Sequence, residues 1–339
     1  MYDKCTLRTI SLSSTLQDDG TYAASFRMRG SDVTIFAEIE KNTAVTINGV
    51  SGSFNDKIKL NFYFDLPEDV AADEDAFVTL TNEKTEKLIT LPVKDTEPVD
   101  SKGYKFSIQL AAKEASDIIT TRVYDGQGNT LSIRGNVRSD NDYTETGVQY
   151  SLMQYFTWLE ENGKDSDEKA VGAAARDYCA AAQIYFNYNA DNVSVSSAVD
   201  EVAAEALSDY IAGREGTLPT GVSIRGISAL LESDNTLRLY LGFKNVEPSD
   251  FTFNIDGAET TLKQRSDGMY YLALDGGVYS NHLHDPHTYS VSDGTNTYTI
   301  TASVLTYARS CAIKNNETES NLGKALYLYS QAAKEAFGY

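Results

Sequence analysis

All three histidines of the chain lie within seven residues, in the segment NHLHDPH (281–287). The imidazoles of His282, His284 and His287, together with the carboxylate of Asp285, are donors that zinc, nickel or copper accept. On a strand, His282 and His284 would lie on one face. Asp285 precedes a proline, however, which is typical of a turn, so an exposed polar loop explains the same residues. A metal site is therefore the lesser alternative, and no cofactor is expected.

Tyrosine supplies the second set of candidate residues, since the chain has 22 tyrosines beside 13 phenylalanines and one tryptophan. A tyrosine ring can stack on a sugar while its hydroxyl makes hydrogen bonds. The candidate ligand-binding residues, predicted to be exposed, are Tyr63, Tyr240, Tyr270, Tyr271 and Tyr279. Because aromatic residues are also favoured in strands, the same content is expected without any ligand.

Carboxylates and cysteines give weaker indications. The acidic run PEDVAADEDAF (67–77) could offer oxygens to calcium, but its spacing is not that of an EF-hand loop, and a solvated loop is expected. Cys5, Cys179 and Cys311 are odd in number and far apart, which does not favour a disulfide framework. Nucleophile-elbow, zinc-protease and phosphate-loop motifs are missing from the sequence, so no catalytic residue is predicted.

Composition limits the partners. The chain of 339 residues has 49 acidic and 29 basic side chains, a net charge of −20. Such a chain repels nucleic acid and anionic lipid. The sequence also lacks the ~20 consecutive apolar residues of a membrane span, and MYDKCTLRTISLSS lacks the apolar core of a signal peptide. We therefore expect no nucleic acid and no membrane insertion, and leave open a protein or polysaccharide ligand.

The elements that would position these residues occur twice. KIKLNFYF (57–64) and TLRLYLGF (236–243) alternate in polarity like half-buried strands, at an offset of 179 residues. YKFSIQL (104–110) matches YYLAL (270–274). TRVYDGQGNTLSI (121–133) resembles YSVSDGTNTYTI (289–300), and both contain an Asp-Gly pair that favours a hairpin turn. These matches indicate a duplicated β-unit.

Helical periodicity follows the strands in each copy. AVGAAARDYCAAAQIYFNY (170–188) and NLGKALYLYSQAAKEAFGY (321–339) have apolar stripes that match at an offset of 151. A shorter helix precedes each, in SLMQYFTWLEEN (151–162) and TASVLTYARSCAIKN (301–315). The pattern predicts a helical hairpin after each β-unit, with Tyr329 and Phe337 of the last helix buried against their own module.

The predicted fold class is mainly β with appended α-helices. It consists of two duplicated immunoglobulin-like antiparallel sandwich modules, each followed by a helical hairpin. Residues 1–45 are assigned to extra strands, in keeping with the tail of a preceding domain. Module 1 spans 46–190, a connecting helix capped by Ser197 and ended by Gly213 occupies 191–218, and module 2 spans 219–339.

Four stretches together resemble a known kind of module pair. They are KIKLNFYFDLPEDVAADEDAFV, GYKFSIQLAAKEASDIITTRVYDGQGN, AAARDYCAAAQIYFNY and GKALYLYSQAAKEAFGY. The pair recurs near the C-termini of large extracellular and cell-surface proteins of gut-dwelling Gram-positive anaerobes, often beside leucine-rich repeats or other binding modules. The resemblance implies an extracellular or cell-surface location, with signal and anchor outside this chain. That family has no assigned activity, so the resemblance implies no functional residues.

The function expected from these observations is non-catalytic: adhesion, spacing or ligand presentation within a larger exported protein. One alternative is a carbohydrate-binding module that uses the exposed tyrosines. The other, least favoured, is a metal-dependent hydrolase that uses the histidine loop 282–287.

Overall fold

The computed structural model describes residues 15–16, 22–23, 45–53, 58–135, 143–144, 146–231, 235–274, 278 and 282–337. The chain divides into two compact units, Met1–Asn42 and Thr43–Tyr339. In the first unit, β1 (Thr15–Leu16) pairs with β2 (Tyr22–Ala23) in antiparallel fashion. The remaining strands predicted for residues 1–45 lie outside the described residues, except for Val45, where the first long strand begins.

The second unit consists of helices and of sheets that are antiparallel except where the first and last strands of one sheet edge, Val45–Ser53 and Ile133–Arg134, pair in parallel. Helices contribute nearly as much of the chain as strands. Its first half contains two sheets, with strand orders β7-β4-β3-β9 and β10-β11-β8-β5-β6. A single turn of helix, α1 (Glu68–Ala71), lies between β4 and β5. The strands are β3 (Val45–Ser53), β4 (Lys59–Asp65), β5 (Phe77–Asn82), β6 (Leu88–Pro92), β7 (Tyr104–Gln109), β8 (Ile119–Tyr124), β9 (Ile133–Arg134), β10 (Tyr143–Thr144) and β11 (Gly147–Tyr150).

The second half has the same strand order at its centre. Its sheets run β13-β14-β18-β17 and β12-β20-β19-β15-β16. Thus β14 lies between β13 and β18 as β4 lies between β3 and β7, and β19 lies between β15 and β20 as β8 lies between β5 and β11. The strands are β12 (Gly213–Gly216), β13 (Val222–Leu231), β14 (Asn235–Phe243), β15 (Thr252–Ile255), β16 (Ala258–Glu259), β17 (Lys263–Gln264), β18 (Tyr270–Ala273), β19 (His287–Ser292) and β20 (Thr297–Ala302).

A β-bulge identifies which residues correspond in the two halves. The β3/β4 register shifts just before Gly49, which lies opposite Tyr63, and the β13/β14 register shifts just before Gly226, which lies opposite Tyr240. Positions 63 and 240 differ by 177, so the offset of 179 predicted for this strand is wrong by two residues. The error has a simple cause: strand alternation has a period of two, and a shift of two leaves every side chain on the same face.

Two helical hairpins follow the sheets, as the periodicity predicts. The first is α2 (Leu152–Asn162) with α3 (Ser166–Tyr185), and the second is α5 (Val304–Ala312) with α6 (Glu317–Phe337). The first helix of each hairpin begins at a serine directly after a strand. Ser151 forms a reciprocal capping box with Gln154, and Ser303 stands in the same position with Thr306.

One glycine in each hairpin lets its helices touch. A Cβ atom on Gly172 would lie 2.6 Å from the backbone nitrogen of Glu160, and one on Gly323 would lie 2.7 Å from that of Ala312. Real Cβ contacts are not that short, so only glycine permits this approach. Gly172 and Gly323 are themselves related by the helical offset of 151 residues.

Helices α3 and α6 pack against each other and join the two halves. At their contact, Tyr178 and Tyr329 stack with ring centroids 5.4 Å apart and an interplanar angle of 11°. Each is only 1% exposed. Tyr329 is therefore buried, but against the other module's helix instead of solely its own, and the predicted burial of Phe337 is wrong because that side chain is 37% exposed.

The predicted connecting helix is also wrong. The segment forms α4 (Ser197–Asp200), then a single 3₁₀ turn (Ala204–Leu207), then the strand β12. The cap position is Ser196, whose hydroxyl and backbone nitrogen both donate to Asp177. Leu207 lies off the predicted apolar face yet is fully buried. The helix ends at Asp200, and the 3₁₀ turn that follows places the Leu207 side chain in the core. Gly213, predicted to end the helix, begins a strand.

Candidate functional site

A cavity of about 370 Å³ lies where the β3/β4 surface, the α2/α3 corner and the last turn of α6 meet. We call it the module 1 cavity. Its residues are hydroxyl-bearing on the sheet side, acidic with one lysine on the α3 side, and aromatic or aliphatic elsewhere. They are Ser51, Gly52, Ser53, Tyr63, Tyr155, Leu159, Lys164, Asp165, Asp167, Glu168, Val171, Ala336 and Phe337.

The sheet side of the module 1 cavity is fixed by a buried amide. Asn61, 1% exposed, donates its Nδ2 protons to Ser53 Oγ at 2.9 Å and Ser51 Oγ at 3.2 Å. Its Oδ1 accepts from Ser107 Oγ at 2.7 Å. The hydroxyls of Ser51 and Tyr63 lie 3.1 Å apart. Because these groups already bond one another, the hydroxyls that line the cavity have defined positions.

The helix side carries the charge. Lys164 Nζ lies 2.9 Å from Glu168 Oε1, and the side chain of Asp165 caps α3 by accepting from the Glu168 backbone nitrogen at 3.0 Å. The contact with Glu168 raises the pKa of Lys164, and hydrogen bonds from Lys164 lower the pKa of Glu168. Asp167 adds a further exposed carboxylate. The four side chains carry three negative charges and one positive charge, so this edge favours a neutral or cationic group.

A second cavity, of about 570 Å³, lies beside module 2 between residues 210–214, β13 and α5. Ile211, Ile224 and Ile227 give it an apolar lining, and Arg214 and Arg309 add positive charge. Its walls have a different chemistry from those of the module 1 cavity.

Most of the predicted tyrosine set is not exposed. Tyr63 and Tyr240 are each 9% exposed, and each hydroxyl lies near a serine: Ser51 for the first, and Ser228, at 3.4 Å, for the second. The physical reason is the bulge, since both rings lie opposite its glycine. Among the predicted tyrosines that the structure describes, Tyr63 alone lines the module 1 cavity.

Tyr270 and Tyr271 are partly buried in β18 and do not form one platform. The Tyr270 ring meets Phe243 edge-on at 5.4 Å, whereas Tyr271 lies 5.9 Å from Tyr240 with the Arg238 guanidinium 4.6 Å from its centroid. Neighbouring residues of a strand face opposite sides, so these two rings cannot stack on the same ligand. Tyr279 lies outside the described residues.

The histidine loop (282–287) packs against the start of α5, and module 1 has an equivalent loop at the start of α2, which we call the corner loop in both modules. Leu305 N donates to Leu283 O at 3.3 Å, as Met153 N donates to Ala115 O at 2.8 Å in module 1. This shared contact places Asp285 where module 1 has Asp117. Asp117 is 4% exposed and accepts from Asn82 at 2.9 Å and from the Tyr188 hydroxyl at 2.6 Å.

In module 2, histidines are the partners of the corner carboxylate. His282 Nδ1 lies 2.6 Å from Asp285 Oδ2, and His284 Nε2 lies 3.3 Å from Asp285 Oδ1. His287 begins β19 and pairs instead with Asp256 at 2.7 Å. The predicted set of three histidines and Asp285 is thus divided between two carboxylates. Within the described parts of the chain, no group of three or more His, Cys, Asp or Glu residues could hold a metal ion.

The acidic run and the cysteines have structural roles. Asp73 accepts from the backbone nitrogen of Gly126 at 2.8 Å, which ties this run to the turn after β8. Cys179 and Cys311 are free and buried, and burial raises the pKa of both thiols. Cys5 lies outside the described residues.

Sequence reasoning missed most of the module 1 cavity. Its serines and acidic residues are ordinary surface types, and they come together through the packing of α2 against β3 and α3, to which α6 adds Ala336 and Phe337. One signal was present in the matched helical stripes, where Tyr185 of the first stripe corresponds to Ala336 of the second. A small residue at a partly buried position where the other half has a large one indicates space.

Comparison with known proteins adds no identification. The sequence matches no model of a known protein family, and the curated proteins include no significant match. Among the helices that the structure describes, none combines the length and apolar character needed to cross a bilayer.

Proposed function

We propose that residues 43–339 are a non-catalytic, rigid two-module unit that spaces or presents other parts of a larger cell-surface or secreted protein. The observation that carries this proposal is the contact of α3 with α6, centred on the stacked rings of Tyr178 and Tyr329. Domains joined only by a linker reorient by default, whereas a buried apolar interface fixes their relative position. A fixed relative position is what a spacing element requires.

We also propose that the two modules arose by duplication and that each is an immunoglobulin-like sandwich. The duplication is supported by details that alternation alone would not produce. Gly49, Ser51 and Tyr63 recur as Gly226, Ser228 and Tyr240 with the same bulge and the same Ser–Tyr hydroxyl contact. The sandwich is supported by two sheets in each half whose apolar residues share one core.

The helix interface relates the modules by an approximate two-fold axis. Tyr178 and Tyr329 occupy the same position in their own modules and contact each other, which is the property of an isologous interface. Such an interface is closed, so it pairs the two modules without leaving the same surface free for further copies. We therefore expect a defined pair, and not a filament.

Distance measurements between spin labels test this proposal. Cysteines introduced at exposed Lys87 of module 1 and exposed Asp267 of module 2 would carry the labels, in a chain whose Cys5 is replaced by serine. Cys179 and Cys311 are buried and have raised thiol pKa values, so they label slowly. A single narrow distribution of label-to-label distances supports a rigid unit. A broad distribution, measured in a chain whose α3/α6 interface carries no substitution, refutes it.

The alternative of a metal-dependent hydrolase gains no support from the geometry. His287 is paired with Asp256, while His282 and His284 share Asp285. The alternative of sugar binding by exposed tyrosines has to be restated, because Tyr63 and Tyr240 are largely buried.

A further inference from the structure

The α2/α3 corner beside the module 1 cavity has a counterpart in the α5/α6 corner of module 2. Tyr155 of α2 corresponds to Tyr307 of α5, and the ion pair of Lys164 with Glu168 corresponds to that of Lys314 with Glu319. Both ion pairs measure 2.9 Å. The corners are therefore built from matching groups.

The corners differ in the residue that the other module's helix brings to them. At module 2, α3 supplies Tyr185, which lies close enough to Tyr307 and Lys314 to influence the pKa of each of these side chains. At module 1, the matching position of α6 is Ala336, which lines the cavity together with Tyr155. Tyr185 therefore stands at the α5/α6 corner in the place that corresponds to Ala336 at the module 1 cavity.

The correspondence between Tyr185 and Ala336 indicates what shape of ligand the module 1 cavity could take. The α5/α6 corner holds a six-membered ring with a hydroxyl group, close to a tyrosine and to a lysine–glutamate pair. At about 370 Å³, the module 1 cavity is within the ~300–1,000 Å³ range typical of ligand sites and exceeds a single phenol ring. A ring with several polar substituents would use the additional space.

The lining gives the chemistry of that ring. Hydroxyls of Ser51, Ser53 and Tyr63 stand on one side, and Phe337 adds an aromatic ring to the lining, a group on which a sugar can stack. The excess of carboxylates at the α3 edge disfavours an anionic ligand. We propose that the module 1 cavity binds an uncharged or amine-bearing sugar unit of a glycan. This function is additional to spacing and does not depend on it.

Saturation-transfer NMR with glucose, glucosamine and N-acetylneuraminic acid tests the proposal on the whole chain. We expect transfer to glucose and glucosamine, stronger for glucosamine, and none to the anionic sugar. The decisive variant is Ala336→Tyr, which rebuilds in module 1 the arrangement that Tyr185 makes in module 2. Because the added ring occupies existing space, we expect this variant to fold and to weaken sugar binding by at least about tenfold.

Glu335→Tyr is the matched control, since it adds the same ring to the same helix at an exposed position. It should bind as the unmodified chain does. If Ala336→Tyr proves unstable, Asp167→Asn decides: it leaves the cavity shape unchanged and should abolish the preference for glucosamine over glucose. Equal binding by Ala336→Tyr, an unaltered preference in Asp167→Asn, transfer to the anionic sugar, or no transfer to either expected sugar would overturn the proposal.

Discussion

Replacing Tyr178 and Tyr329 by leucine, singly and together, tests whether the two modules are one cooperative unit. Each ring is 1% exposed, and leucine preserves apolar contact while removing the stack. A buried substitution of this kind costs about 1–3 kcal/mol. An aromatic pair contributes a further ~0.5–1.5 kcal/mol that belongs to both rings jointly. The double variant should therefore lose less stability than the two single losses added together, by about that amount.

Scanning calorimetry and urea unfolding measure these losses. For a unit of this size, 1 kcal/mol corresponds to a Tm change of about 2 °C, so each single variant should melt roughly 2–6 °C lower. Phe77 and Tyr124 provide the control, since they stack at 4.7 Å and 11° within module 1. Tyr124→Leu combined with Tyr329→Leu should be additive. Additive losses for Tyr178 and Tyr329, or two separate transitions of which each single variant lowers only one, would refute a cooperative interface.

The remaining predictions concern single sites. Gly172→Ala and Gly323→Ala should each lower the free energy of unfolding, because the added Cβ would lie under 3 Å from the preceding helix. This loss should outweigh the ~1 kcal/mol by which alanine is favoured over glycine in a helix. Urea unfolding measures the sign of the change, and a rise in stability would contradict the contact. Tyr178→Phe should raise stability by about 1 kcal/mol, since within the described residues its buried hydroxyl has no hydrogen-bond partner. A lower Tm in thermal melting would instead show that this hydroxyl has a hydrogen-bond partner. Hydrogen bonds from the Asn296 and Thr295 backbone lower the pKa of Asp293, so its contribution to stability is present above the unfolded-state pKa and is lost as the pH falls through the folded-state value. Asp293→Ala should therefore lose less stability than the unmodified chain as the pH falls below about 4, measured by urea unfolding.

The sequence predicted those parts of the fold that depend on local periodicity. Both helical hairpins, the antiparallel strands and the Asp-Gly turns follow from spacing and turn chemistry within short windows. The connecting segment failed because its structure depends on distant partners. Asp177 of α3 fixes Ser196, and the core takes up Leu207. Neither contact is visible in the apolar pattern of residues 197–213.

The histidine loop shows why site prediction from residue types was limited. A cluster of histidines and an aspartate has the composition of a metal site, but composition does not state which groups are already engaged. Asp117 supplies the missing information, because the same corner in module 1 uses its carboxylate to hold Asn82 and Tyr188. His282 and His284 are therefore explained first as partners of the corner carboxylate of Asp285. The comparison between the two halves likewise singles out Ala336 beside the module 1 cavity. The informative signal in this chain is therefore the difference between equivalent positions, and it can be used only with the correct offset.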